Sequence, residues 1–257
     1  MIKSGVCSVT FRDKEPKEII EIVSKAGIQS IEWGSDVHVK AGDVKTAQKV
    51  REWSEDAGVD VSSYGSYYRL GMNHDVAPYL ESAKALGARQ IRIWGGLNPS
   101  SYMSFDVRLE LIREAKEISR MAAAYGISLS TECHSGTVTD IPESLLYFMY
   151  EVNEPNFCSY WQELLHIQEE RQLHSLKTLY SSGKLTNLHV YQFDNMKMQR
   201  KQTLLREGRD KWMERLMVFK SDIQTRYAIL EFVKDGDLES FIDDAKVLTE
   251  IIEKVKM

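Results

Sequence analysis

Four stretches of the chain repeat one pattern of apolar and polar positions. "KAGIQSIEW", "DAGVDVSSY", "ALGARQIRIW" and "AYGISLSTE" each close a helical spacing with a glycine and enter a strand-like run at once. The glycines are Gly27, Gly58, Gly87 and Gly126, spaced 31, 29 and 39 residues apart, and a glycine just past a helix end is the usual left-handed cap. Short β-rich runs alternating with helices imply parallel strands joined by crossovers. Further strands are expected near 5–10, 156–162, 186–191 and 227–233. Helical spacing is plain in "RLELIREAKEISRMAAAYG", where Leu109, Ile112, Ala115, Ile118 and Ala122 share a face. Eight such units in 257 residues average about 32 residues each, the size of a (β/α)8 TIM barrel. No linker or low-complexity tract divides the chain, so residues 1–257 are expected to form one barrel domain.

Alternation along each strand then sorts side chains by face. In 127–134, Ile127, Leu129, Thr131 and Cys133 suit packing against helices, while Ser128, Ser130, Glu132 and His134 point into the barrel. Cys133 is thereby a packing residue rather than a nucleophile. In "YAILEFV", Ala228, Leu230 and Phe232 face outward and Glu231 inward. In "TNLHVYQF", Leu188 and Val190 face the helices, leaving Asn187, His189 and Tyr191 inside. In "NFCSYWQ", Gln162 shares its face with Asn156, Cys158 and Tyr160. Four consecutive strands thus each bring one ligand-capable group to the C-terminal rim, where this fold keeps its active sites.

Two inward carboxylates, Glu132 and Glu231, repel each other at a cost that a cation removes. A divalent metal shared with His189 is one such cation, and a cationic side chain or trapped water is the alternative partner for Glu132. Oxygen-dominated ligands with one imidazole suit Mn, Mg, Co or Zn.

Composition narrows the partners. No apolar run approaches the roughly 18 residues of a membrane helix, and "MIKSGVCSVTF" reads as a first strand rather than a signal peptide. Cysteines 7, 133 and 158 are scattered and odd in number, which fits a reducing cytoplasm. The net charge of −5 disfavours nucleic acid. The basic run "KMQRK" (197–201) reads as a solvated loop or helix face. No phosphate-binding loop of the GxxxxGK[ST] or GxGxxG kind occurs.

The stretches "IEWGSDVHV" (31–39), "TECHSGTVTDIPESL" (131–145), "NLHVYQFD" (187–194), "LLREGRDKW" (204–212) and "LEFVKDGDLESF" (230–241) carry a resemblance to a known family. The chain resembles the xylose-isomerase-like TIM-barrel superfamily, in particular its sugar phosphate isomerase/epimerase branch, over essentially its whole length. The resemblance implies one divalent metal held by groups from strands 5 to 8, here Glu132, Gln162, His189 and Glu231. It also implies that Glu132 and Glu231 flank a substrate carbon and pass protons to and from it through an enediolate. The chain departs from the pattern at "YWQ", where Gln162 stands in place of the usual Asp and brings no charge. Weaker metal binding is the expected consequence. Endonuclease IV-type DNA repair enzymes share the barrel, but the sequence "HVYQFDN" lacks the Asp-x-His that they use after this strand.

Further rim candidates for substrate binding are Glu32 and His38 after strand 2, Tyr64 and Tyr68 (with Tyr67 and Arg69) at the strand-3 exit, Trp94 after strand 4, His134, and Arg206. The competing reading of Arg206 is a surface pair with Glu207 or Asp210. His74, His166 and His174 are given no catalytic part. The sequence is read as a sugar or sugar-phosphate isomerase or epimerase with a small-molecule sugar or polyol substrate, no nucleic-acid or membrane partner, and relatives that are often homo-oligomers. An inosose-type dehydratase and a metal-poor, non-catalytic sugar-binding barrel are the alternatives.

Overall fold

The computed structural model describes residues 1–194 and 201–257. Residues 197–200 of the basic run therefore lie outside the described residues. Eight parallel strands close into a barrel: β1 (Ile2–Cys7), β2 (Ser30–Gly34), β3 (Asp60–Arg69), β4 (Gln90–Trp94), β5 (Ser128–Glu132), β6 (Phe157–Trp161), β7 (Leu185–Val190) and β8 (Arg226–Leu230). Each pairs with its sequence neighbours and β8 closes onto β1. The helices are α1 (Pro16–Lys25), α2 (Val44–Asp56), α3 (Ala77–Leu86), α4 (Phe105–Ala124), α5 (Pro142–Val152), α6 (Glu169–Ser181), α7 (Arg209–Met217) and α8 (Leu238–Lys256). A two-stranded ribbon, Phe193–Asp194 with Lys201–Gln202, follows β7.

The local signals explain these elements. Gly27, Gly58, Gly87 and Gly126 all have positive φ, between 66° and 78°, so each helix end turns into its strand at the position where a β-carbon is least tolerated. Pro16 opens α1, and the Glu15 and Glu18 side chains form a capping box around its first turn. Ser104 and Asp237 cap α4 and α8 through their side chains. The main core lies between sheet and helices and includes Ile31, Ile91, Ile93, Leu129, Cys133, Leu188, Val190, Ala228 and Leu230. Inside the barrel is a much smaller apolar cluster of Cys7, Tyr160 and Ile229. Above it the inward side chains are polar. No helix among the described residues is long and apolar enough to cross a membrane.

Two expected strands shift. The first ends at Cys7, and residues Ser8–Phe11 form a 3-10 turn. The last ends at Leu230, because Phe232 adopts φ 51° and breaks the extended backbone. Phe232 consequently does not pack outward against the helices. It is 46% exposed and lines the barrel mouth.

Helix α8 carries a buried carboxylate, Asp244, whose Oδ1 accepts the Leu205 backbone N–H at 2.7 Å. Burial pushes its pKa up to about 6 from the ordinary value of 3.8. The folded state therefore holds this proton more tightly than the unfolded chain, and stability falls as pH rises from about 4 through 6. Asp244→Asn keeps the acceptor and removes that loss. The variant is expected to exceed the native protein by on the order of 1 kcal/mol at pH 7 and to match it near pH 4. Urea unfolding at the two pH values checks this, and equal stabilities at pH 7 would refute the burial argument.

Candidate active site

Strand β4, "QIRIW", places Ile91 and Ile93 among the helices and so turns Arg92 into the barrel. Its guanidinium is only 4% exposed. Nε donates to Glu32 Oε1 at 2.8 Å, and Nη1 donates to Glu132 Oε2. Ser63 Oγ donates to the other Glu32 oxygen at 2.7 Å. Room for this triad comes from Gly65, where a β-carbon would lie 3.0 Å from Arg92 Nη2 and 3.1 Å from Glu32 Oε1. Burial disfavours all three charges, but each compensates the others. Burial pulls the Arg92 pKa down, yet Glu132 and Glu32 hold it well above its usual value. Burial likewise pushes Glu32 up, and Arg92, His189 and Ser63 hold it below the usual carboxylate range. Arg92 is thus the cationic side-chain partner of Glu132.

His189, from β7, is the hub of the remaining groups and is fully buried. Its Nδ1 lies 3.0 Å from Gln162 Oε1, 3.1 Å from Glu231 Oε2 and 3.8 Å from Glu132 Oε1. Its Nε2 faces the barrel floor, 3.4 Å from Glu32 Oε1 and 3.8 Å from Cys7 Sγ. Burial opposes the imidazolium, but the carboxylates of Glu231 and Glu32 hold its pKa well above the ordinary histidine value. Cys7 is pushed far up, first by burial and then by Glu32, and stays a thiol.

These residues fit a divalent cation. Nδ1 carries at most one hydrogen, yet three oxygens crowd around it, and Glu231 Oε2 is left buried without a hydrogen-bond donor. Glu132, His189 and Glu231 each offer a ligand atom within 4.8 Å of the others, and the Gln162 amide oxygen adjoins them. Three carboxylates, Glu32, Glu132 and Glu231, stand against one guanidinium, so a divalent cation beside a neutral imidazole would balance the interior. An oxygen-rich donor set with one nitrogen suits Mn, Mg, Co or Zn. Because the ring must give up its Nδ1 proton to act as a ligand, binding is expected to release protons and to weaken as pH falls. Ligand charge tunes such affinities over decades. Gln162→Asp is accordingly expected to tighten Mn²⁺ binding by about tenfold or more. Calorimetric titration of the two metal-free proteins measures it, and equal affinities would remove Gln162 from the ligand set.

A cavity of about 480 Å³ opens above this cluster at the C-terminal end of the barrel. Its walls include Glu132, Glu231, Arg92, Trp94, His134, Tyr67, Arg12 and Phe232. His134 stacks on Trp94 with ring centroids 4.6 Å apart, and Arg69 lies over the Trp94 ring at 3.8 Å. The Ser135 carbonyl can only accept, so the His134 Nδ1 at 2.6 Å carries the hydrogen and a neutral ring leaves Nε2 as the acceptor. A wider hollow of about 940 Å³ at the opposite, N-terminal end is lined by Lys3, Asp60, Gln90, Asn187 and Tyr227 among others, and by none of these carboxylates.

Several rim candidates lie elsewhere. Glu32 is in the barrel floor, beneath the cavity rather than on its wall. His38 is buried, with its ring nitrogens 2.9 Å from Ser8 Oγ and 3.1 Å from the Phe11 carbonyl, and braces the β1 exit. Tyr64 and Tyr68 fall on the helix-facing parity of β3. Their hydroxyls donate to the Val39 carbonyl at 2.7 Å and to Glu114 Oε1 at 2.7 Å. Arg206 is 60% exposed and pairs with Asp243 at 3.2 Å, not with Glu207 or Asp210. Arg92, Arg12 and Tyr67 take their places around the cavity. Arg92 was legible in "QIRIW" by the same alternation that exposed Glu132.

Over residues 20–215 the chain matches the family described as xylose isomerase-like TIM barrel. It is 22% identical over 179 residues to a 3-dehydroshikimate dehydratase from Bacillus anthracis, covering 65% of this chain but only 64% of that enzyme's length. The crystal structure of the probable 3-DHS dehydratase involved in petrobactin synthesis from Bacillus anthracis superposes with a TM-score of 0.81 at 19% identity, covering 96% of this chain and 98% of that one. A D-psicose 3-epimerase crystallised in the presence of D-fructose superposes with a TM-score of 0.71 at 14% identity, covering 96% and 97%. With a closed eight-stranded barrel and a family match across most of its length, the chain belongs to the xylose isomerase-like TIM barrel family.

Proposed function

We propose that this barrel is an enzyme that removes a proton from the carbon beside a carbonyl in a polyhydroxylated, sugar-like small molecule. The enediolate is the intermediate, and Glu132, Gln162, His189 and Glu231 hold a divalent cation. When bound, such a cation supplies positive charge near the oxygen on which the enediolate charge collects. The observation that carries the reading is the unequal pair of carboxylates at one cavity. Glu231 lines the cavity with an oxygen that accepts no hydrogen bond, and in this reading it takes the proton. Glu132 has one oxygen engaged by buried Arg92, which fixes its orientation.

Isomerases, epimerases and dehydratases share this first step. A two-base epimerase needs both carboxylates free to exchange protons with substrate, so the grip of Arg92 on Glu132 favours elimination. In that reading Glu231 takes the proton from the α-carbon and hands it to the β-hydroxyl, which leaves as water. One C–H and one C–O bond break, one C=C bond forms, and one water is lost. Similarity to a 3-dehydroshikimate dehydratase supports it. Epimerisation, in which Glu132 returns the proton, is the second reading, supported by the likeness to the D-psicose 3-epimerase.

The test is incubation of the Mn²⁺-supplemented protein in D₂O with 3-dehydroshikimate, scyllo-inosose and a set of ketoses. Dehydration yields a product lighter by one water. Epimerisation yields an isomer with deuterium at the inverted carbon. Binding with neither deuterium uptake nor product would reject the reaction and return the chain to the non-catalytic alternative.

A further inference from the structure

Among the described residues, five that are not glycine have positive φ: Tyr67 (54°), Asn73 (51°), Asn153 (45°), Phe232 (51°) and Asp235 (56°). Asn and Asp tolerate this region, whereas bulky aromatic residues are strained in it. The two aromatics have one thing in common: both line the mouth cavity.

The left-handed backbone coincides with a break in strand pairing at Tyr67 and diverts the Phe232 ring from where regular alternation would send it. The pairing of β3 with β4 is irregular between Gly65 and Arg69, and Tyr67 sits inside that irregularity. Its ring lies 5.9 Å from the Arg92 guanidinium carbon and 6.1 Å from Trp94, and its hydroxyl accepts from Arg12 Nη2 at 3.2 Å. Phe232 directly follows Glu231. Continued extension would carry it outward to the helix layer, but the left-handed backbone leaves it at the mouth, edge-on to Tyr191 at 5.3 Å and Phe193 at 5.9 Å. It nonetheless stays 46% exposed. Strain of this kind persists where the surroundings impose it, and it concentrates at ligand-binding sites.

We infer that Tyr67 and Phe232 determine specificity by contacting the C–H faces of a carbocyclic polyhydroxy ketone. The inference rests on the reaction proposed for this site. Aromatic faces bind the apolar face of a ring, while Arg12, His134 and Gln202 on the same walls meet its hydroxyls. An open-chain ketose has no such face. A ring-closed sugar has the face but masks its carbonyl as a hemiketal, which leaves no acidic α-proton. A carbocyclic ketone keeps the ring and the carbonyl together.

The test compares the Mn²⁺-supplemented native protein with Phe232→Gly, Phe232→Ala and Tyr67→Gly. The probes are scyllo-inosose, a carbocyclic ketone, and L-erythrulose, which is too short to close a stable ring. Calorimetry is expected to show about tenfold weaker inosose binding in each variant, with erythrulose binding unchanged. Glycine adopts positive φ freely, so Phe232→Gly is expected to melt above Phe232→Ala and no lower than the native protein. Two outcomes overturn the inference. One is inosose affinity unchanged in the glycine variants while Tm falls, which would make the rings structural packing. The other is native protein that binds erythrulose at least as tightly as inosose. Inosose binding that depends on both rings, but without deuterium uptake from D₂O, would uphold the ring contact and reject the proposed reaction.

Discussion

Arg92→Met is expected to destabilise the protein by about 3–5 kcal/mol, because it strands two buried carboxylates without their cation. For a chain of this size that corresponds to a fall in Tm on the order of 10 °C. Glu32 and Glu132 are 1% and 3% exposed, and Glu32 lies beneath the mouth cavity, so water cannot replace the guanidinium there without opening the barrel. Arg92→Lys keeps the charge but not the fork that reaches both partners, and should fall between the two. Glu132→Gln in the Arg92→Met background should recover part of the loss, since one of the stranded charges is gone. The same triad sets a pH dependence. Glu32 is held below its ordinary pKa of 4.5 in the folded state, so its contribution is present above that pH and is lost as pH falls below it. Arg92→Met should flatten this acid limb. Urea unfolding across pH 3–7 measures both effects, and an Arg92→Met protein within about 1 kcal/mol of the native one would show that the carboxylates are stabilised by something else.

Glu231→Gln is expected to lower turnover by about 10²–10⁴-fold, the usual contribution of a general base, with a smaller loss of Tm than Glu132→Gln, because Glu231 faces the His189 ring but makes no bond to Arg92. Glu132→Gln should also lower turnover, but with a measurable loss of stability of about 1–3 kcal/mol from the weakened bond to Arg92. This contrast separates a proton-transferring carboxylate from one that also belongs to the buried network. Steady-state kinetics beside thermal melts resolve it, and full activity in either Gln variant would exclude that residue from the chemistry.

The positions on β5 to β8 were legible because alternation is a local rule. Glu132, Gln162, His189 and Glu231 share a face with small or polar neighbours, and the barrel closes with all four around one point. On the neighbouring strands the same rule decides against some rim candidates. On β3 it would have sent Tyr64 and Tyr68 to the helices and left Ser63, Gly65 and Tyr67 inside. On β4 it would have disclosed Arg92. Phe232 is a different case: its left-handed backbone overrides alternation, and the strand ends at Leu230, three positions before the end its β-rich composition suggests. His38 and Arg206 carry chemistry-capable groups near strand exits. The loops around them turn one into a brace and leave the other on the surface.

By itself the sequence determined the repeating unit, the number of strands, and which side of most strands each residue faces. All of these follow from the periods of helix and strand and from glycines that cap helix ends. Tertiary structure alone decided which inward residues meet. Arg92 finds its two carboxylates 60 and 40 residues away, through the register of a closed barrel rather than through any spacing along the chain. A buried charge is tolerable only beside its partner, and closure of the sheet is what brings that partner within reach.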